Sequence, residues 1–133
     1  MVVKLAGETP VWAGSIDLVL KHKKTSGVYA CIDYKRTNPQ GGRKLIGKET
    51  FSNGFGKGPL ADVPDSDTGK YSVQLNIYAH TLFHDYGIEA RDHMYVVQCH
   101  YTLERPNVFA VPRLDAAMEL LTAVEAAAAA EER

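Results

Sequence analysis

The sequence predicts one mixed α/β domain with elements in the order β-β-β-α-β-β-α. Three observations predict it. Short apolar runs separated by turn residues fill the first forty positions, one later segment has helical periodicity, and the chain closes on an alanine-rich stretch. A chain of 133 residues, 45% hydrophobic and 23% charged, is the right size for a single core, here taken as residues 1–133.

The elements follow in order. Residues 2–6 read as a short strand, broken by Glu8, Thr9 and Pro10. Residues 11–20, "VWAGSIDLVL", read as one long strand with an interior glycine. "KHKKTSG" is a polar turn, and residues 28–36 are the next strand. Residues 37–69 form a long, basic, glycine-rich loop, expected to be mobile or to contact substrate. In residues 70–86, Tyr71, Leu75, Tyr78 and Leu82 recur at spacings of four, three and four, which predicts a helix. Asp67 or Thr68 can cap its start, and Gly87 suits the position after its end. "HMYVVQCHY" is a strand, and "VFAV" is an edge strand that Pro112 stops. Residues 114–132 form the last helix, whose stripe of Leu114, Met118, Leu121 and Val124 reads as core packing.

Composition narrows the function classes. No apolar run is long enough to span a membrane, and "MVVKLAGETP" lacks the apolar core of a secretory signal. Cys31 and Cys99 lie in apolar runs and read as reduced thiols of an intracellular protein. Two cysteines cannot by themselves hold an iron–sulfur cluster or a structural zinc ion, so no cluster is expected. The net charge is −1, but it is unevenly spread. Residues 21–70 carry ten Lys/Arg against five Asp/Glu, and residues 71–133 carry four against nine. A basic middle and an acidic end can face different ways, so a polyanionic partner fits as well as two solvated surfaces do.

The chemistry concentrates in the first hairpin. If the strands flanking "KHKKTSG" pair symmetrically about Thr25, residue numbers across the pair sum to fifty, and Asp17 faces Asp33. Directly opposed side chains lie roughly 5 Å apart at Cβ. Lys35 is two residues beyond Asp33 and shares its face. Opposed carboxylates repel, so a shared proton, a lysine or a divalent cation must relieve them. Hard oxygen ligands suit Mg²⁺ or Mn²⁺, which polarise phosphoryl oxygens. The plainer reading of Asp-x-Lys is an ion pair on an exposed face.

"AGSIDLVL" followed by "CIDYKR" resembles two motifs of the PD-(D/E)xK nuclease superfamily, an Asp closing Gly-x-x-Asp and then Asp-x-Lys on the next strand. Gln74 and Tyr78 in "QLNIY" are similar to the Gln-x-x-x-Tyr motif of its RecB-like exonuclease branch, and share a helix face. The resemblance covers about residues 11–100. It implies a restriction-endonuclease-like mixed sheet flanked by helices, and a Mg²⁺- or Mn²⁺-dependent deoxyribonuclease, more an exonuclease than an endonuclease, serving replication, repair or recombination. It implies Asp17, Asp33 and the Tyr34 backbone carbonyl as metal ligands, and Lys35 as the lysine that positions water or the scissile phosphate. Gln74 and Tyr78 would position nucleic acid, a single strand or a duplex end, and charge and proximity add Arg36 and Lys70 as phosphate contacts. The family's usual first helix, with its acidic residue or histidine, has no counterpart before residue 11. Glu8 is then a candidate substitute ligand, and a helicase or another domain or subunit is a candidate source of the helix. An inactive nucleic-acid- or protein-binding module on the same fold is the alternative.

Other signals carry less. His80 and His84 are four apart but lack further zinc ligands, and His93 and His100 only flank a strand. "GGRK" and "GFGKG" do not match the phosphate-binding Gly-x4-Gly-Lys-Ser/Thr loop.

Overall fold

The computed structural model describes residues 2–4, 13–49 and 54–131. Strand β1 (Val2–Lys4) pairs antiparallel with β2 (Ala13–Ser15) as a separate two-stranded ribbon. A mixed four-stranded sheet follows, formed by β3 (Leu18–Lys21), β4 (Tyr29–Lys35), β5 (Met94–Gln98) and β6 (Asn107–Val111), adjacent in that order. Only the β4–β5 pair is parallel. Parallel neighbours need a crossover, and helix α1 (Asp67–Tyr86) supplies it. Helix α2 (Asp115–Glu131) closes the described chain and packs on α1.

The β3–β4 register is the one the hairpin symmetry predicts. Leu18 pairs with Ile32, Val19 with Cys31, Leu20 with Ala30 and Lys21 with Tyr29. The single long strand expected over residues 11–20 is instead two. The ladder ends at Leu18 because the Asp17 side chain takes over: its Oδ2 accepts the Tyr34 N–H at 2.8 Å. A side-chain acceptor thus replaces the backbone carbonyl, and the chain bends away to pair with β1. The element order therefore gains one strand.

One face of the sheet carries Cys31, Met94, Val96 and Val111, all buried against Leu75, Ala79 and Leu82 of α1. On the opposite face Leu20, Tyr34 and Val108 are exposed, and no described helix covers it. The buried Asn76 ties α1 to the connection after β6. Its amide donates to Pro112 O at 3.0 Å and its Oδ1 accepts the Leu114 N–H at 2.8 Å. Among the described side chains of α2 the buried ones are Ala117 and Leu121, and Val124, expected in the apolar stripe, is exposed.

Helix α1 starts three residues before the expected position. Ser66, rather than Asp67 or Thr68, caps it by accepting the Gly69 N–H at 3.1 Å. Its C-terminal cap is Gly87 in the left-handed conformation (φ 68°), as expected.

The described part of residues 37–69 is built rather than loose. It contains two short 3-10 turns, Gln40–Gly42 and Gly58–Leu60, and an isolated bridge between Phe55 and Pro64. Ile46 lies in the core at 1% exposure. The reason is Gln98, fully buried at the end of β5. Its Oε1 accepts from Ile46 N at 2.9 Å and from Asn107 Nδ2 at 3.1 Å. Its Nε2 donates to Thr37 O, Thr37 Oγ1 and Lys44 O at 3.0, 3.1 and 3.2 Å. One side chain therefore satisfies backbone groups of a segment that makes no ladder of its own. Composition cannot reveal such a partner, because it lies more than fifty positions away.

Removing that amide leaves several buried polar groups unpaired, each costing about 1–3 kcal/mol. Gln98→Leu is expected to lower the unfolding free energy by about 3 kcal/mol or more in urea titration. Hydrogen exchange should accelerate across residues 37–49 before the sheet is affected. Equal protection of that segment in both proteins would contradict the assignment.

Candidate active site

The carboxyl end of β4 meets the first turns of α1, and the site forms there. Alternation along the strand turns Asp33 and Lys35 toward the helix. Asp33 is buried at 7% exposure. Lys35 Nζ lies 3.0 Å from Asp33 Oδ2 and donates to Gln74 Oε1 at 3.5 Å. Gln74 Nε2 in turn donates to Tyr78 OH at 3.0 Å. The Asp-x-Lys strand and the Gln-x-x-x-Tyr helix thus form one chain of polar contacts: carboxylate, ammonium, amide, phenol.

Asp17 closes the other side. It is exposed, and its Oδ2 is fixed by the Tyr34 N–H. It also lies close enough to Asp33 to raise the pKa of that carboxyl. Burial pushes the Asp33 pKa up, Lys35 pulls it down, and the contact with Asp17 pushes it up again; the net direction is upward. Burial is the larger part of that rise, and Asp17 adds a second acid beside the one that Lys35 pairs.

The residues present fit a hard divalent cation. Two carboxylates face each other, and a strand residue points its N–H and C=O to the same side, so the Tyr34 carbonyl turns toward Asp17 as its N–H does. No cluster of three or more His, Cys, Asp or Glu suited to a metal occurs among the described residues. Glu8, the candidate third ligand, lies outside the described residues.

Two expected phosphate contacts stand apart from the carboxylates. Lys70 is solvent-exposed and pairs with Asp65 at 3.6 Å, though it lies four residues before Gln74 on the same helix face. Arg36 follows Lys35 just beyond the end of β4 and lines an open pocket with Cys99, His100 and Tyr101. His80 and His84 stack with ring centroids 6.0 Å apart, and burial lowers the His80 pKa.

Periodicity gives Tyr71 a place in the helical repeat but no role in the site. Its ring lies beneath the Lys35 ammonium, 4.5 Å from Nζ to centroid, which fixes the amine from a third direction. Its phenol is held protonated, chiefly by burial and next by Asp67. The spacing signal was available: Tyr71, Gln74 and Tyr78 at i, i+3 and i+7 share one helix face. Cys31 sits behind the acids, and burial, then Asp33 and Asp17, push its pKa up to about 12. Its thiol is a core group, not a nucleophile.

No protein-family model, curated protein or solved structure matches the chain. The functional reading therefore rests on the site itself.

The raised pKa of Asp33 fixes a sign. A carboxyl with a folded pKa above its unfolded value stabilises the fold below the ordinary carboxylate range, and that contribution is lost as pH rises through the raised value. Without metal, the Tm of Asp33→Asn is therefore expected to fall less than that of the unmodified protein as pH rises above the ordinary carboxylate range. Mg²⁺ should raise the Tm of the unmodified protein, more so at higher pH, and leave the Tm of Asp33→Asn unchanged. Equal Mg²⁺ shifts in both proteins would show that the cation binds elsewhere.

Proposed function

We propose that this chain is a PD-(D/E)xK nuclease domain of the RecB-like type, hydrolysing phosphodiester bonds in DNA with Mg²⁺ or Mn²⁺. One observation carries the reading: Asp17, Asp33 and Lys35 converge with Gln74 and Tyr78 at the end of one strand. Three short motifs from distant parts of the sequence meet in space, which chance matches to a pattern do not require.

Asp17, Asp33 and the Tyr34 carbonyl would hold the cation. When bound, it polarises a phosphoryl oxygen and lowers the pKa of nearby water. Everything else is done by the chain. Lys35 donates a hydrogen bond to the attacking water or the scissile phosphate and offsets charge that grows in the transition state. Tyr71 and Gln74 fix the ammonium in place, which counts because misplacement by 1 Å can cost a hundredfold in rate. Tyr78 holds Gln74. Water attacks phosphorus in line while the bond to the leaving oxygen breaks, and the proton lost by the water ends in solvent as the leaving oxygen gains one. The chain that leaves the site after Arg36 is pinned by Gln98 at residues 37, 44 and 46. Localisation within the cell, action on DNA ends, and a helicase or other partner that contributes a further ligand belong to the same proposal.

A second reading has its own observation. Lys35 already closes on Asp33 at 3.0 Å, and no larger ligand cluster occurs among the described residues. That arrangement suits an inactive nucleic-acid- or protein-binding module, which would bind in EDTA and cleave nothing.

The test is cleavage of labelled single- and double-stranded DNA with Mg²⁺, Mn²⁺ or EDTA. Metal-dependent cleavage is expected, and Asp33→Ala or Lys35→Ala should reduce it by about a hundredfold or more. Cleavage that survives either substitution would remove these residues from the mechanism.

A further inference from the structure

We propose that Arg36, His100 and Tyr101 form a binding subsite for an unpaired nucleotide of a single DNA strand, with Tyr101 as the stacking ring and Arg36 as the phosphate contact. The location rests on the nuclease reading above; the subsite's chemistry does not.

Tyr101 is 92% exposed, the highest value among the exposed large hydrophobic side chains described. An exposed tyrosine alone means little, but this one is held. The His100 ring lies 4.5 Å away, centroid to centroid, tilted by 32°. His100 Nδ1 accepts the Thr102 N–H at 3.3 Å and lies 2.8 Å from Thr102 Oγ1. Its carbonyl accepts the Leu103 N–H at 2.9 Å, closing a tight turn. Acceptance at Nδ1 puts the neutral ring's proton on Nε2.

The turn is anchored to the catalytic strand. Cys99 N–H donates to Lys35 O at 2.8 Å, so the residue before His100 is bonded to the lysine of the site. Arg36, the next residue of β4's path, shares the open pocket with Cys99, His100 and Tyr101. No ion pair engages Arg36 among the described residues. Here β4 and β5 run parallel and end together. Ligands of open α/β sheets bind beyond such carboxyl ends.

The chemistry selects the occupant. A fixed aromatic face beside an unpaired guanidinium matches a base plane and its phosphate. In duplex DNA each base is already stacked and paired, so its face cannot reach a single protruding ring. The subsite therefore selects a single strand or a frayed end.

The experiment measures binding of fluorescein-labelled twelve-nucleotide oligothymidylate in EDTA, where metal-dependent cleavage is off. An abasic oligomer of equal length and a blunt hairpin duplex are the comparison probes. Tyr101→Ala should weaken oligothymidylate binding about tenfold and leave the abasic oligomer unaffected. Tyr101→Phe should retain binding, because the face and not the hydroxyl is used. Arg36→Ala should weaken both single-stranded probes. Tyr101 and Arg36 are both exposed, so these variants fold, and unchanged Tm verifies it. The proposal is overturned if oligothymidylate does not bind, if Tyr101→Ala leaves its affinity unchanged, or if the abasic oligomer loses as much. Cleavage in Mg²⁺ separates the two readings. Cleavage with Tyr101-independent binding removes only the subsite, and Tyr101-dependent binding without cleavage removes only the nuclease.

Discussion

The ion pair between Asp33 and Lys35 is the constraint on which the site depends. A carboxylate at 7% exposure in the interface between sheet and helix is unfavourable unless it is paired. Lys35 at 3.0 Å is its partner, and the helix then has to accommodate the lysine. Tyr71 offers a ring face and Gln74 an amide oxygen, so the first two turns of α1 are committed to holding one ammonium. Burial raises the Asp33 pKa most, and the neighbouring Asp17 adds to it against the pull of Lys35. The pocket thus holds one acid paired with Lys35 and a second, Asp17, held by the Tyr34 N–H.

Rigidity around this pair comes from a second buried amide. Gln98 is the register partner of Lys35 in the parallel β4–β5 pair. It binds the backbone of residues 37, 44 and 46, so the chain leaving the site is fastened as soon as it passes Arg36. The bond from Cys99 N–H to Lys35 O fixes the neighbouring turn in the same way. The carboxyl ends of β4 and β5 are thus held from both sides, as a positioned water or phosphate requires.

Much of this was legible in the sequence because it is periodic. The hairpin register followed from symmetry about Thr25, and the α/β class followed from short apolar runs and one helical repeat. The facing acids, the lysine and the Gln–Tyr pair were legible as motifs, and they do meet. The rest turned on side chain-to-backbone bonds between distant positions, which no local pattern encodes. Asp17 ends a strand by capturing the Tyr34 N–H, Ser66 takes the helix cap from its neighbours, and Gln98 converts an apparent loop into part of the core. Tyr71 marked the helical repeat and does pack on the core, but a ring that packs and a ring that also holds a cation have the same spacing.

The most direct measurement is a crystal soaked in Mn²⁺, with the cation located by its anomalous scattering. The account predicts a peak between Asp17 and Asp33, within bonding distance of both carboxylates and the Tyr34 carbonyl, with Lys35 drawn off Asp33. An unbroken Asp33–Lys35 pair with no peak between the two acids would contradict it.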